Sequence, residues 1–243
     1  MTAAETTTAE RPSRAKLAAA AGAVVVLAAV IAYLLAIIPP VVGLGNKVKL
    51  PIYHGASTWV DLMLFTFMGL LAIAYLATRR DGIYAWEVGF RAIAAPLWLV
   101  NSVLGFLAAL STWDFTGSKE SPLVLIRQDP RLMAQAFLLL GVGILLVLVW
   151  LVLDKRAHKA MADLAFVVAM WAVLANVFLD PNKAALHPNS PVLHSGWEIK
   201  GPFLGIVGCI LAISVVLAWV VSLYVRPAET SAALGATPLP ENA

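Results

Sequence analysis

The sequence has little charge and almost no cysteine, and each shortage excludes a class of protein. Only 13% of the 243 residues are charged, whereas a soluble domain carries about 25%. A chain this apolar is stable in lipid rather than in water. The composition therefore indicates an integral membrane protein. The single cysteine, Cys209, lies inside an apolar run, so the chain can form neither an internal disulfide nor a CxxCH haem-attachment site.

Several catalytic and binding motifs are also absent. The sequence contains no Gly-rich phosphate loop, no HExxH and no Ser-His-Asp spacing, so hydrolase and nucleotide-binding functions have no support. The net charge of +3 comes from basic residues that flank apolar runs. This placement is typical of topology signals and of contact with anionic lipid, and we expect no nucleic-acid partner.

What the sequence does contain is six apolar runs, each close to the 20 residues that a membrane-spanning helix needs. We therefore predict an all-α membrane domain over residues 16–226, between disordered tails at 1–15 and 227–243. The first run ends at Pro39-Pro40 without an A-x-A cleavage site, so we interpret it as a retained helix. The predicted helices are about 17–38, 56–77, 90–111, 132–153, 160–179 and 202–225.

The basic residues predict the orientation. With the N-terminus inside, ten of the 17 Lys and Arg residues fall in inner segments, where they cluster in short loops. We therefore expect the chain to lie in the inner membrane of the cell, with both termini in the cytoplasm. The longer outer loops, 39–55, 112–131 and 180–201, carry three of the four histidines, and only His158 is inside.

The three outer histidines are the candidate metal ligands. His54 is expected just before the second helix, where Ser57 and Thr58 could cap the helix and Trp59 suits the interface. This depth suits an axial haem ligand, although an ordinary interfacial histidine fits the pattern as well. His187 and His194 flank a Pro-rich segment, and a three-histidine zinc site is a competing hypothesis.

Charged residues near these histidines also have two interpretations. Asp129 is placed to cap the fourth long helix, with Pro130 at its first position, while Arg131 or Lys119 could meet haem propionates. Asp61 lies seven residues after His54 and would share its face in a continuous helix. It could instead pair with Asn101 or Arg131.

The order of these motifs resembles the haem-handling proteins of cytochrome c biogenesis, closest to the CcmC type within the CcmC/CcmF/CcsA superfamily. The resemblance covers roughly residues 20–225 and rests on His-x-x-x-x-Trp at 54–59, Trp-Asp at 113–114, Asp-x-Arg-Leu at 129–132 and Leu-His-Pro at 186–188.

The resemblance implies non-covalent haem b at the outer face, ligated axially by His54 and His187, with His194 as the alternative second ligand. Trp59 and Trp113 would wall the haem, and Asp114, Asp129 and Arg131 would belong to its tryptophan-rich motif. The chain departs from that motif: it keeps one tryptophan there, and about fifteen residues separate Trp113-Asp114 from Asp129. These departures weaken the expectation that the protein transfers haem more than the expectation of a six-helix membrane fold.

Three functions remain open at this point. The first is a haem-handling assembly factor, a binding protein rather than a classical enzyme, which presents haem to a chaperone or apocytochrome alongside other maturation subunits. The second is a b-haem subunit of a quinone-linked electron-transfer complex. Such subunits usually hold their ligands inside helices, and no histidine is expected in a helix interior here. The third is a membrane anchor with incidental histidines.

Overall fold

The computed structural model describes residues 12–116, 119–178, 192 and 195–225. Six helices in this part of the chain are long and apolar enough to cross a membrane, which confirms the prediction of a six-helix all-α membrane protein. The helices are α1 (Arg14–Ile37), α2 (Lys49–Thr78), α3 (Asp81–Thr112), the short α4 (Pro122–Gln128), α5 (Pro130–Val147), α6 (Arg156–Phe178) and α7 (Trp197–Val225).

The second helix begins seven residues earlier than the predicted residue 56. A 3₁₀ turn, Asn46–Val48, leads directly into α2, and Pro51 is accommodated in the first helical turn, where backbone N–H groups need no intrahelical acceptor. The prediction that Ser57 or Thr58 caps this helix is therefore wrong. Both residues lie in its interior, and His54 is itself helical.

The third helix begins at Asp81, nine residues before the predicted residue 90. Glu87, one of the charged residues of the predicted loop, is buried inside the bundle together with Arg91, and Arg91 donates a hydrogen bond to Asp163 of α6. Because Arg91 meets Asp163 within the protein, the helix can hold a charged side chain in a segment that hydropathy alone ends.

The start of α5 matches the prediction. Asp129 is its N-cap and accepts hydrogen bonds from the backbone N–H groups of Arg131 and Leu132 at 2.9 and 3.1 Å, with Pro130 at the first position. The far end of α5 continues into a π-helical segment, Leu148–Val152. The seven-residue α4, inside the predicted loop, was not expected.

The bundle is organised around α2, which packs against α3, α6 and α7, while α1 packs chiefly against α7. Close approach of α3 and α7 depends on Gly89, where an added Cβ would overlap the backbone carbonyl oxygen of Ala218. Helices in lipid gain little from burying apolar surface, so such contacts between small residues are a main source of their association.

We predict that Gly89→Ala destabilises the bundle by about 1–3 kcal/mol, because the new methyl group must push α3 away from α7. Gly143→Ala is the matched control, since a Cβ at that helical position meets nothing within 4 Å. It should leave stability unchanged or raise it by about 0.5–1 kcal/mol. Thermal unfolding in one detergent measures both, and equal effects would contradict this account of the α3–α7 contact.

Candidate functional site

A cavity of about 990 Å³ opens between the helices at the end of the bundle where α2 begins. This volume is at the upper end of the roughly 300–1,000 Å³ usual for small-molecule sites. Five residues singled out from the sequence line it together: His54, Trp59, Trp113, Asp114 and Arg131. Segments that are distant in the sequence therefore converge on one cavity.

The rest of the cavity wall is mostly apolar. Side chains from five helices and from the segment before α2 contribute to it, among them Leu44, Ile52, Leu62, Trp98, Leu138, Leu174, Ile199 and Phe203. An apolar wall with a few polar groups is typical of a small-molecule binding site.

His54 lies in the second turn of α2, and its position there differs from the prediction. We expected it in a loop ahead of the helix, but α2 starts five residues before it. Its imidazole consequently projects from a helix into the cavity, and a helix holds a side chain at a better defined height and direction than a loop does.

Asn101 of α3 orients the imidazole. Its Oδ1 lies 2.8 Å from Nδ1 of His54, and its Nδ2 donates to Oγ1 of Thr58 at 2.9 Å. Thr58 in turn donates to the backbone carbonyl of His54 at 2.9 Å. This closed chain of hydrogen bonds joins α2 to α3, and Asn101 at its centre is fully buried.

The amide orientation determines the tautomer of His54. Because Thr58 donates its hydroxyl proton to a carbonyl, its oxygen accepts from Nδ2 of Asn101, which turns Oδ1 towards His54. A carbonyl oxygen can only accept, so this arrangement favours the tautomer with the proton on Nδ1. In the neutral ring the lone pair is then on Nε2. Metal-binding histidines share this pattern, in which one ring nitrogen donates to a protein oxygen and the other is the ligand atom.

Gly105, one turn after Asn101, makes room for the ring. A Cβ at this position would lie 2.6 Å from Cε1 and 2.9 Å from Nε2 of His54, and 3.1 Å from Oε1 of Gln135. His54 and Gln135 both line the cavity. Only glycine therefore lets the imidazole lie this close to α3 in this rotamer.

Asp61 lies below the cavity, two turns after His54 on the same helix. It is fully buried, and its oxygens make no hydrogen bond of ordinary geometry within the described structure, although Asn101 is near enough to interact with them. The predicted shared face with His54 is correct because α2 includes both residues, and of the two suggested partners, Asn101 is near it.

The two predicted tryptophans lie at the rim of the cavity. Trp59 is half exposed and meets Phe203 of α7 edge-on, with ring centroids 6.5 Å apart. Trp113 is the C-cap residue of α3, and its ring centroid lies 6.4 Å from that of Phe115. Their placement leaves apolar ring surface beside the cavity mouth.

The charged groups predicted for the site have separate roles. Asp114 lines the cavity, and the hydroxyl and backbone N–H of Thr116 donate to it and lower the pKa of its carboxyl group. Arg131 lines the cavity from the first turn of α5. Asp129 does not line it but caps that helix, and Lys119 is exposed away from it.

His187 and His194 lie outside the described residues, so the predicted second ligand has no position here. Two described residues of that loop, Val192 and Ser195, line the cavity. No group of three metal-binding side chains occurs within the described ranges, and the three-histidine zinc hypothesis gains no support from them.

No family model and no curated protein sequence matches this chain.

We predict that Asn101→Ala releases the His54 ring and lowers stability by about 1–2 kcal/mol, because two interhelical hydrogen bonds in the membrane are lost. Nitrogen NMR of ¹⁵N-histidine protein should show one ring protonated at Nδ1, a signal assigned by its loss in His54→Gln. Ser102→Ala is the control, since its hydroxyl bonds only to Trp98 of its own helix. An unchanged His54 signal in Asn101→Ala would contradict the assignment.

Proposed function

We propose that this protein binds haem b non-covalently in the cavity, with Nε2 of His54 as an axial ligand. The observation that carries the proposal is the hydrogen bond between Nδ1 of His54 and Asn101. It selects the tautomer with the lone pair on Nε2 and anchors the ring from a second helix, as the outer partner of a metal-bound histidine does.

The residues of the cavity fit a haem. Its lining is mostly apolar, which suits a porphyrin face, and two tryptophans at its rim add flat surface. Gly105 makes room for the His54 ring that would hold the haem. Arg131 is the cationic side chain on the described part of the cavity wall, and a guanidinium can form paired hydrogen bonds with a propionate carboxylate.

Bound haem would supply a coordination site at iron and a chromophore. The protein's own residues bind and orient it: His54 donates a lone pair, Asn101 holds the ring nitrogen, and the apolar wall excludes water. His187 would be the second axial ligand, with His194 as the alternative, in keeping with the resemblance to the CcmC type.

From this resemblance and the basic-residue pattern we infer a role in cytochrome c biogenesis. The cavity end would face away from the cytoplasm of the inner membrane, with both termini inside. A site at one end of the bundle suits delivery of haem to a chaperone or apocytochrome, since the ligand need not cross the membrane core. The residues named require no chemical step, so binding and presentation describe this function better than catalysis.

A second function is favoured by the position of His54. Quinone-linked cytochrome b subunits usually hold their haem ligands inside helices, and His54 is helical rather than in a loop. The same site could therefore retain its haem and pass electrons between quinone and a partner subunit.

Haem reconstitution tests the binding site. Purified protein titrated with haemin should develop a Soret band, which His54→Ala should abolish and His158→Ala should leave unchanged, because His158 lies at the opposite end of α6 from the cavity. Asn101→Ala should weaken haem binding about 10–100-fold, as the loss of such outer partners typically does. No Soret band in the folded wild-type protein would overturn the proposal.

Two further comparisons separate the ligand and functional alternatives. Loss of the band in His187→Ala but not in His194→Ala would support His187 as the second ligand, and the reverse would replace it. Transfer of haem to an apocytochrome acceptor supports the biogenesis role. Retention of haem through repeated reduction by quinol supports the electron-transfer subunit.

A further inference from the structure

A second buried polar group lies at the end of the bundle opposite His54. Glu87 and Arg91 of α3 and Asp163 of α6 are all buried, with exposed fractions of 0%, 3% and 0%. Glu87 and Arg91 are four residues apart and share one face of their helix. From Asn101, Glu87 is 14 residues away, about 21 Å along the helix axis, so this group is separate from the cavity.

The contacts within this group leave acceptors without donors. Arg91 donates through Nη1 to Oδ2 of Asp163. Oδ1 of Asp163 and both oxygens of Glu87 meet no donor in the described structure. Glu87 lies one helical turn before Arg91 on the same face of α3, and Arg91 contacts Asp163, so the two buried carboxyl groups are close neighbours. Two carboxyl groups can be hydrogen-bonded to each other only if one of them carries a proton.

The charge count leads to the same requirement. Two carboxylates and one guanidinium would leave an uncompensated negative charge in a buried site, which is costly. Tyr84 contacts the group from α3 itself, and its ring is covered by Tyr75 of α2 and by Arg156 of α6, which is paired with Asp81. The buried positions of α7 carry no charged side chain. A single additional cation would balance the group.

We propose that Glu87 and Asp163 form a carboxyl dyad that binds one exchangeable proton, held between the two side chains and balanced by Arg91. In this arrangement the protonated carboxyl donates to the carboxylate, and Arg91 neutralises the remaining charge. Release of the proton leaves two facing carboxylates, and its return restores the hydrogen bond. The dyad is a proton-binding site within the membrane, independent of the haem cavity.

The geometry favours a proton over a metal ion. A metal ion must lie between its oxygen ligands and needs several of them, six or more in the case of Ca²⁺. Within the described residues no cluster of three potential metal ligands surrounds the two carboxyls, and Arg91 already engages one of their oxygens. A proton needs only the two facing oxygens.

Infrared spectroscopy of the full-length protein in nanodiscs tests the dyad. A protonated carboxyl group has a C=O stretch that is distinct from that of a carboxylate and shifts in D₂O. We measure it in an Asp61→Asn background, which removes the other buried, unpaired carboxyl of the described bundle. The band should be present at neutral pH, disappear in Glu87→Gln and remain in Glu198→Gln, a control at an exposed position of α7.

Glu87→Gln should also unfold at the same temperature as the parent, because an amide N–H can donate to Asp163 as the protonated carboxyl does. Absence of the band in the folded Asp61→Asn protein, or its persistence in Glu87→Gln, would overturn the proposal. So would a rise of more than a few degrees in the thermal midpoint when Na⁺ replaces choline, since the balancing cation would then be Na⁺. None of these measurements depends on haem binding.

Discussion

Water is absent from the hydrocarbon of a membrane, so a polar side chain placed there must find its hydrogen bonds within the protein. This constraint determines the arrangement at both ends of the bundle. At one end Asn101 of α3 bonds to His54 and Thr58 of α2, and at the other Arg91 of α3 bonds to Asp163 of α6. Because α3 supplies the central residue each time, its rotation about its own axis is fixed at two heights. The cavity owes its shape to that fixed rotation.

Polar links alone do not bring helices into contact, and small residues complete the packing. Gly89 lets α3 approach the backbone of α7, and Gly69 of α2 faces Val167 of α6, whose atoms lie 3.0–3.1 Å from where a Cβ would be. Apolar side chains are as well solvated by lipid as by each other, so such close approaches and interhelical hydrogen bonds distinguish this packing from others. The same principle holds at Gly105, where the neighbour is the His54 ring rather than a backbone.

The helix count could be predicted from hydropathy because it depends on run length alone, and the cap at Asp129 because capping is local. The starts of α2 and α3 could not be predicted from the sequence. Proline and charged residues near a helix start indicate a loop, unless it is known that the charged side chains pair with residues of another helix. Trp113 and Arg131 were associated with the site through motif order, and both line the cavity. Asn101 and Gly105 were missed as site residues. Their one-turn spacing in an apolar helix was a signal, but the face of α3 that opposes His54 depends on packing between helices.

The first transmembrane helix has an unusual place in this arrangement. It packs chiefly against α7, although five other helices separate the two along the chain, and little of its surface is buried. During synthesis α1 precedes its main described neighbour by more than 150 residues. The contacts among α2, α3 and α6 involve segments made before α7, so they do not depend on α7 being present. The attachment of α1 to the bundle does depend on it.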